Sequence, residues 1–333
     1  MKAVVMTAVG GPEVLRVADV PEPRIEHDTQ IKVQLKAAGV NPVDAKLRQR
    51  GLFYPDALPA ILGCDGAGVV TEVGPAVTRH RPGDAVWFCN GGLGGEPGTY
   101  AEFTVVEESV ARPKPRSLDF AHAAAAPLVL ITAWEALYDR ARLQADATAL
   151  VHAGAGGVGH IAIQLAKLAG AAVCTTVSSP EKAEFIRDLG ADEAIVYTRE
   201  DFVTAALRWT SGTGVDVALD SVGGETLERT FAAMAHYGDL VTLLDPGGGL
   251  SWKEARNRNL RIGLELMLTP MLYGLTQARA HQGEILDRCA QWFDEGRLKI
   301  HVSRTLPLAR AAEAHREIEA GHTQGKLVLT LNH

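Results

Sequence analysis

The residues best suited to chemistry form a glycine-rich stretch at positions 152–160, which reads His-Ala-Gly-Ala-Gly-Gly-Val-Gly-His. Three of its glycines have the spacing GxGxxG between an apolar run and a helical pattern, the context in which this motif is informative. Glycine here permits a tight turn and a close approach of the backbone to a pyrophosphate, and the helix N-terminus offers N–H groups to phosphates. A glycine-rich turn without a ligand is the alternative, which the complete strand–helix–strand pattern disfavours. We predict a dinucleotide site formed by Gly154, Gly156, Gly157, Val158 and Gly159.

The type of dinucleotide depends on the end of the following strand, where an NAD site places an acidic residue on the ribose 2′-hydroxyl. The strand ends here in Thr-Thr-Val-Ser-Ser at 175–179, without an acid. Ser178 can hydrogen-bond to a 2′-phosphate, and Lys182 adds a positive charge one helical turn later. We therefore predict NADPH as the cofactor. In the alternative interpretation Ser179 is only an N-cap and Lys182 only a solvated surface lysine.

The cysteines and histidines offer no second centre of chemistry. The cysteines at 64, 89, 174 and 289 form no CxxC pair, which argues against a disulfide scaffold and a four-cysteine zinc site. We expect surface or capping roles for His122, His152, His160 and His315, because none has an acid or cysteine at catalytic spacing. No GxSxG surrounds Ser221, so a hydrolase has no support.

Composition narrows the function classes further. A chain of 333 residues with 47% hydrophobic and 22% charged residues is long enough for about two folded domains. Its formal net charge of −7 gives no basic field for nucleic acid or an anionic membrane. The most apolar stretch, 123–134, is interrupted by Pro127 and is shorter than the roughly 20 residues of a membrane span. The N-terminus has no signal-peptide h-region, so we expect a cytoplasmic protein.

The pattern of elements changes near residue 125. Before it, short β-branched runs separated by Gly and Pro turns predict a small antiparallel barrel. Its candidate strands are Ala3–Val5, Gln30–Ala37, Gly68–Val73, Ala85–Phe88 and Ala101–Val106. From about residue 147, strands alternate with helices, which predicts a doubly wound parallel sheet. Its candidate strands are Thr148–His152, Ala171–Val177, Ala194–Tyr197, Val215–Leu219, Leu240–Leu244 and Leu260–Leu266. We therefore expect an α/β protein.

Motifs along the whole chain resemble those of the medium-chain dehydrogenase/reductase superfamily, and within it the zinc-independent quinone oxidoreductases. The motifs are Met1–Val4, Gly39–Asp44, Gly63–Val70, Gly83–Val86, Gly98–Glu102, Leu130–Leu137, Ala153–Gly159, Asp220–Gly224 and Gly325–Leu329. The resemblance implies a chaperonin-10-like β-barrel catalytic domain at 1–125 and 270–333. It also implies a Rossmann NADPH-binding domain at 126–269, with the active site in the cleft between the two.

The resemblance also implies two catalytic residues. Asn41 would lie beside the nicotinamide and donate its amide to a substrate carbonyl. Its alternative role is turn geometry before Pro42. Tyr54 would line the substrate side of the cleft. A surface-packed aromatic residue is the alternative for Tyr54.

The same resemblance implies five cofactor contacts. Asn41 is one of them, and the other four lie elsewhere in the chain. Thr132 would contact the nicotinamide ribose or the diphosphate, or else bond back to a helical carbonyl. Tyr197 would pack near the adenosine phosphate, and Ser221 belongs to the cofactor motif at 220–224. Lys326 would lie close to the cofactor; a solvent-facing strand lysine is its alternative.

The chain departs from the zinc-dependent members of this superfamily at every ligand position. Asn41 stands where they have a Cys ligand, and Cys64-Asp65 where they have a His-Glu pair. Their remaining ligand falls in 127–131, which holds no Cys, His or acid. Because a catalytic zinc needs three protein ligands, we predict no metal. Without a Lewis acid, reduction of a quinone is easier than oxidation of an alcohol. The alternatives are reduction of α,β-unsaturated ketones or enoyl thioesters, and an NADPH-binding protein without significant turnover.

The last strand of the parallel sheet predicts an assembly. Residues Asn259–Leu268 alternate leucine or isoleucine with mostly polar or small residues, as a strand with one apolar face does. As the sixth strand it should lie at a sheet edge, where unpaired backbone groups favour pairing with another chain. We predict a homodimer in which this edge pairs with itself across a twofold axis.

Overall fold

The computed structural model describes residues 1–54 and 56–331. The chain forms two compact units. Unit 1 consists of Met1–Leu128 and the chain from Leu268 onward, and unit 2 is Val129–Met267. Among the described residues, none of the helices is both long and apolar enough to span a bilayer.

The N-terminal part of unit 1 is built from short strands, as its turn-rich sequence predicts. They are β1 (Lys2–Met6), β2 (Leu15–Asp19), β3 (Gln30–Val40), β4 (Ala60–Ile61), β5 (Asp65–Val73), β6 (Ala85–Cys89), β7 (Phe103–Glu107) and β8 (Arg112–Pro113). Strands β2, β1 and β4 form a three-stranded antiparallel sheet. The other five belong to a larger sheet in which β3 pairs with both β5 and β7. The five predicted strands are all present, with ends displaced by up to three residues, and β2, β4 and β8 were not predicted.

Helices in this part of unit 1 begin at recognisable signals. Helix α1 (Pro42–Arg50) starts with Asn41 as N-cap and Pro42 at its first position, where a missing N–H costs nothing. Helix α2 (Phe120–Ala125) has Asp119 as N-cap, whose carboxylate accepts from the His122 N–H. The boundary between the units falls within α3 (Pro127–Trp134).

Unit 2 is a parallel six-stranded sheet, which confirms the predicted doubly wound class. Its strands are β9 (Thr148–Val151), β10 (Ala172–Val177), β11 (Glu193–Val196), β12 (Val215–Asp220), β13 (Met234–Thr242) and β14 (Arg261–Leu264). They lie in the order β11-β10-β9-β12-β13-β14. The order reverses beside β9, so the carboxyl end of β9 is the switch point at which such sheets bind ligands.

Helices connect these strands. They are α4 (Gly157–Leu168), α5 (Pro180–Asp188), α6 (Phe202–Trp209), α7 (Gly224–Ala233) and α8 (Lys253–Asn257). The predicted start of α5 is confirmed: the Ser179 side chain accepts from the Lys182 N–H, and Pro180 is the first helical residue. A core packs between α6, α7 and the sheet around Phe231, Leu240 and Leu227, which are fully buried.

The edge strand differs from its prediction in length. Strand β14 lies at the sheet edge as expected, but it ends at Leu264 rather than continuing to Leu268. The alternation stops because Glu265 turns inward, where its carboxylate pairs with Arg140 at 2.8 Å. The leucines therefore do not share one face: Leu264 and Leu266 are exposed and Leu268 is buried.

The C-terminal part of the chain completes unit 1. Its elements are α9 (Thr269–Leu272), α10 (Thr276–Asp294), β15 (Val302–Pro307), α11 (Ala311–Glu319) and β16 (Lys326–Thr330). Strand β16 pairs antiparallel with the end of β3, with Leu327 opposite Val40, while β15 pairs with β16 in parallel. The larger sheet is thus antiparallel except for this last pair.

Candidate active site and cofactor-binding loop

The glycine-rich loop lies between β9 and α4, at the switch point of the parallel sheet. A Cβ atom on Gly154 would lie 2.0 Å from the Thr175 Oγ1, and one on Gly159 would lie 2.3 Å from the Ala153 carbonyl oxygen. Neither position can hold a side chain without movement of its neighbours. Gly156 is the N-cap of α4, so Gly157, Val158 and Gly159 form the first turn, whose N–H groups have no acceptor within the helix. This arrangement fits the phosphates of a dinucleotide.

His152 fixes the entry to this loop. Its Nε2 lies 2.9 Å from the Thr230 hydroxyl, which already donates to the Thr226 carbonyl, so Nε2–H must be the donor. Its Nδ1 then accepts from the Thr176 hydroxyl at 3.1 Å, and Thr176 Oγ1 accepts from the Ala153 N–H at 3.1 Å. Ala153 has a φ of +51°, so this bond holds an unfavourable backbone conformation in place. Burial lowers the pKa of His152 to about 4, so the imidazole is neutral.

Three of the histidines were predicted wrongly. His152, His160 and His315 are buried rather than at the surface. The His160 Nδ1–H donates to the Gly156 carbonyl at 2.8 Å within α4. His122 is the exception, since it lies half-exposed beside its cap Asp119. The partners of His152 and His315 lie far away in sequence, so local spacing gave no sign of them.

The residues predicted to select the cofactor lie beyond β10. Ser178 and Lys182 are partly buried, and the carbonyl oxygen of Ser178 accepts from the Thr198 hydroxyl at 3.1 Å. Tyr197 follows β11 directly and is 53% exposed, while its N–H donates to the Val177 carbonyl at 3.1 Å. No acidic residue stands at the end of β10, between Val177 and Pro180.

The two other predicted cofactor residues of unit 2 lie at the start of the unit and after β12. Thr132 is buried in α3. The Ser221 hydroxyl donates to the His152 carbonyl at 3.2 Å, which links β12 to the glycine loop. Asp220 before it is fully buried, and its carboxylate accepts from the N–H groups of Val222 and Gly223.

In unit 1, Asn41 lies at the end of β3, where β5 and β16 flank it on opposite sides. Asp65 begins β5 and Lys326 begins β16, so pairing of the three strands brings their side chains together. The Asn41 Nδ2 donates to Asp65 Oδ2 at 2.9 Å, and its Oδ1 accepts from the Lys326 ammonium. Lys326 Nζ also lies 3.2 Å from the Val40 carbonyl oxygen and 3.7 Å from Asp65 Oδ2. All three side chains are buried, so a solvent-facing Lys326 is excluded.

A second buried chain of hydrogen bonds leads to the backbone of Asn41. Its N–H donates to Asp44 Oδ2 at 2.8 Å, and the Tyr100 hydroxyl donates to the same oxygen at 3.0 Å. The Arg48 Nε–H donates to His315 Nδ1 at 3.3 Å, so the His315 Nε2–H points to the Tyr100 oxygen at 3.3 Å. From Arg48 through His315 and Tyr100, each hydrogen bond is donated in the direction of the Asp44 carboxylate. Burial raises the pKa of Asp44 to about 7, and burial lowers the pKa of His315 to about 3.

Burial shifts the ionisable pair beside Asn41 as well. It raises the pKa of Asp65, against the nearby charge of Lys326. It lowers the pKa of Lys326, against the charges of Asp65 and Asp44. Each partner therefore favours the charged form of the other.

Tyr54 has a different setting from Asn41. It is 43% exposed, lies outside the helices and strands, and its hydroxyl donates to the Leu272 carbonyl at 3.3 Å. Its ring lies against Gly95, where an added Cβ would be 3.2 Å from the ring edge. The structure thus does not join Tyr54 to the buried cluster around Asn41.

Two cysteines lie near Asp65, but they complete no set of metal ligands. Cys64 is buried, and a hydrogen bond with Cys89 together with burial raises the pKa of its thiol well above the usual range. Among residues 1–54 and 56–331, no group of three or more His, Cys, Asp or Glu side chains is arranged to hold a metal ion. A cationic ammonium beside Asp65 is also unfavourable next to Zn²⁺. The residues present therefore do not fit a zinc ion.

Several members of this cluster were missed by sequence reasoning. Asp44 stands in the motif at 39–44, three residues after an N-cap Asn, and the capping-box spacing could have indicated it. Asp65 was considered only as a departure from zinc ligands. Tyr100 and Arg48 carried no local signal, because the chain fold alone brings them to Asp44 and His315.

Comparison with known proteins agrees with this geometry. Residues 27–116 match the family model described as alcohol dehydrogenase GroES-like domain, and residues 189–329 match that described as zinc-binding dehydrogenase. A quinone oxidoreductase of Pseudomonas aeruginosa is 35% identical over 98% of this chain and 99% of its own. An NADPH-dependent alkenal/one oxidoreductase of Arabidopsis thaliana is 34% identical over 99% of this chain and 79% of its own. The structure of Escherichia coli quinone oxidoreductase complexed with NADPH superposes with a TM-score of 0.88 at 30% identity, covering 99% and 100% of the two chains.

The matches to the two quinone oxidoreductases extend over nearly the full length of both partners, and the comparisons bear out the predicted fold of a GroES-like domain joined to a Rossmann-type parallel sheet. The chain therefore belongs to the medium-chain dehydrogenase/reductase superfamily, as an enzyme of the quinone oxidoreductase type.

Proposed function

We propose that this chain is a zinc-independent, NADPH-dependent oxidoreductase that transfers a hydride to a quinone or another electron-poor acceptor. The observation that carries the proposal is the Asn41 amide, held in a buried site by Asp65 and Lys326 where zinc-dependent relatives would keep a metal. An amide N–H can stabilise the negative charge that develops on a carbonyl oxygen, which a metal would otherwise do.

Unit 2, whose range nearly coincides with the predicted domain at 126–269, would hold the cofactor. Gly154, Gly156 and the first turn of α4 would bind the diphosphate, since a close approach to backbone N–H groups is what this loop permits. Lys182 and Ser178 would bind the 2′-phosphate, and the end of β10, between Val177 and Pro180, carries no carboxylate that would take the place of this phosphate. Thr132, Tyr197 and Ser221 would complete the site. When bound, NADPH supplies the hydride.

Unit 1, whose range nearly coincides with the predicted domain at 1–125 and 270–333, would bind the acceptor. Asn41 would donate a hydrogen bond to the acceptor carbonyl, and the exposed ring of Tyr54 would contact the acceptor. Support for a metal-free site comes from the donor set itself, in which an amide and an ammonium accompany Asp65. Electron-poor acceptors need no Lewis acid, because they already draw a hydride.

Reduction of an α,β-unsaturated ketone or an enoyl thioester is the second candidate. It places the same negative charge on a carbonyl oxygen, so the Asn41 amide would serve it equally. The Arabidopsis thaliana relative, named as an alkenal/one oxidoreductase, favours this possibility.

The test is consumption of NADPH and of NADH with a panel of benzoquinones and naphthoquinones against a panel of enones and an enoyl thioester. We expect NADPH to be consumed fastest with a quinone, with no change after treatment with a chelator. Faster reduction of the enone panel would transfer the assignment to the second candidate. Tight NADPH binding without consumption on either panel would contradict both, and would indicate a binding protein.

We also propose that the protein is a cytoplasmic homodimer joined through β14. Its four cysteines are free thiols, which suits a reducing compartment. At the edge of the sheet Leu264 is 61% exposed and Leu266 is 48% exposed, and an open apolar edge favours pairing with a second copy. Leu264→Pro removes a backbone donor, so light scattering should show a monomer for this variant and a dimer for the unmodified protein. A fully dimeric variant would exclude this interface.

A further inference from the structure

The pair formed by Asp65 and Lys326 is costly for the fold. Their side chains are 0% and 3% exposed, and their charged atoms are separated by 3.7 Å. Removing two charges from water at this depth is unfavourable, and apolar side chains of similar size are often as stable. The amide of Asn41 bridges the two charges. These contacts indicate that the pair acts through Asn41.

The two charges together determine which way the amide faces. An ammonium can only donate hydrogen bonds and a carboxylate can only accept them. The oxygen of the Asn41 amide must therefore face Lys326, and its nitrogen must face Asp65. One of the two amide hydrogens is bound to Asp65. The second hydrogen has no acceptor among the residues that the structure describes, so the amide keeps one unused donor.

We propose that Asp65 and Lys326 are positioning residues that hold the Asn41 amide in one orientation and strengthen its second N–H as a donor to the acceptor's carbonyl oxygen. An ammonium on the amide oxygen draws electrons from the nitrogen, and hydrogen bonds in such a chain reinforce one another. The bond gains most when the carbonyl becomes an oxyanion, so the pair acts on turnover more than on binding. This inference rests on the proposed function.

A direct cofactor contact is the competing role for Lys326. An ammonium carries three hydrogens. They face three oxygen atoms of the protein: Asn41 Oδ1, the Val40 carbonyl and Asp65 Oδ2. Two of these oxygens are within hydrogen-bond distance, and a phosphate that approached the ammonium would be repelled by the Asp65 carboxylate 3.7 Å away, so the contacts favour the positioning role.

The first experiment compares Lys326→Met with Lys32→Met. Lys32 is also a buried lysine of unit 1, 7% exposed, and its ammonium pairs with Glu22 at 2.5 Å and Glu72 at 2.9 Å. Both variants lose a buried cation, but only one touches Asn41. We expect kcat to fall roughly 10-fold to 100-fold in Lys326→Met, with NADPH affinity within about threefold of the unmodified protein. Lys32→Met should keep kcat within about twofold.

Two results would overturn the inference. One is an unchanged kcat in Lys326→Met. The other is weaker NADPH binding with an unchanged kcat, which would assign Lys326 to the cofactor. If Lys326→Met does not fold, Asp65→Asn removes the other charge and is judged by the same criteria.

The second experiment does not depend on turnover. The chain has five asparagines, so a protein isotope-labelled only at asparagine gives five side-chain amide pairs in a nitrogen–proton NMR spectrum. The signal lost in Asn41→Asp identifies Asn41. We expect Lys326→Met to shift this pair more than any other and to speed its hydrogen exchange, while Lys32→Met leaves it in place. An unmoved Asn41 pair would contradict the positioning role. If the unmodified protein consumed no NADPH, the proposed function would fall, and this spectrum would still decide whether Lys326 holds the amide.

Discussion

The two polar centres of the molecule are built on different physics. In unit 2 the glycine loop is held by close backbone packing and by a neutral imidazole between two threonines. In unit 1 Asn41 is held by a buried ammonium and a buried carboxylate, with Asp44 bound to its backbone. Neutral contacts and steric limits are insensitive to pH near neutrality, whereas charge-based contacts are not. We therefore expect the loop to lose its binding geometry when a side chain is added to it. We expect the Asn41 centre to be disrupted when one of its charges is removed.

The largest effect is expected in the glycine loop. Gly154→Ala places a Cβ atom 2.0 Å from Thr175 Oγ1, so the turn must move away from the geometry that admits phosphates. We expect NADPH to bind at least about 100-fold more weakly, measured by fluorescence titration. Gly248→Ala is the control, because Gly248 lies outside the glycine loop and an added Cβ there would meet no atom within 4 Å. Equal losses in both variants would show that packing at Gly154 is not the determinant.

The pH dependence of His152 sharpens the comparison on the side of the loop. The pKa of His152 is lowered by burial to about 4, against about 6.5 when unfolded. The unfolded chain therefore binds a proton first as the pH falls, so stability is complete above about pH 6.5 and is lost toward pH 4. We expect this residue to account for about 2 to 3 kcal/mol of that loss. Urea unfolding of His152→Gln should show a flatter decline over this range, and a parallel decline would contradict the account.

In unit 1, Asp44 makes the stability depend on pH in the opposite direction from His152. Burial raises its pKa to about 7, against about 3.9 when unfolded, so the folded protein binds the proton more tightly. Stability from this group is complete below about pH 4 and is lost as the pH rises through 7. Asp44→Asn cannot ionise. Its free energy of unfolding should therefore improve relative to the unmodified protein by about 2 kcal/mol between about pH 5 and pH 7. If the relative stability of Asp44→Asn increased as the pH fell, the raised pKa of Asp44 would be contradicted.

The smallest effect concerns the choice of cofactor. Lys182 and Ser178 follow β10, whose end between Val177 and Pro180 carries no carboxylate, so we expect NADPH to bind about tenfold more tightly than NADH, or about 1.4 kcal/mol. Lys182→Glu should abolish most of this preference while leaving NADH affinity nearly unchanged. Equal affinities for the two cofactors in the unmodified protein would contradict the assignment of the 2′-phosphate site.

Local patterns predicted the parallel sheet, the glycine loop and the cap of α5, because each depends on residues adjacent in sequence. The cluster at Asn41 could be predicted only in part. Asn41 itself stood in a motif, but pairing of β3 with β16 brings Lys326 to it from 285 residues away. The end of β14 was missed for the same reason, since Arg140 turns Glu265 inward from a distant part of the chain.

The most direct test of the account is a single-turnover experiment in which enzyme holding one equivalent of NADPH is mixed with a naphthoquinone. The unmodified protein should oxidise the bound nicotinamide rapidly, as seen by loss of its absorbance. Asn41→Ala, loaded to saturation with NADPH, should oxidise it at least about 100-fold more slowly, because the donor to the acceptor oxygen is gone. No oxidation by the unmodified protein, or equal rates in the two proteins, would contradict the account.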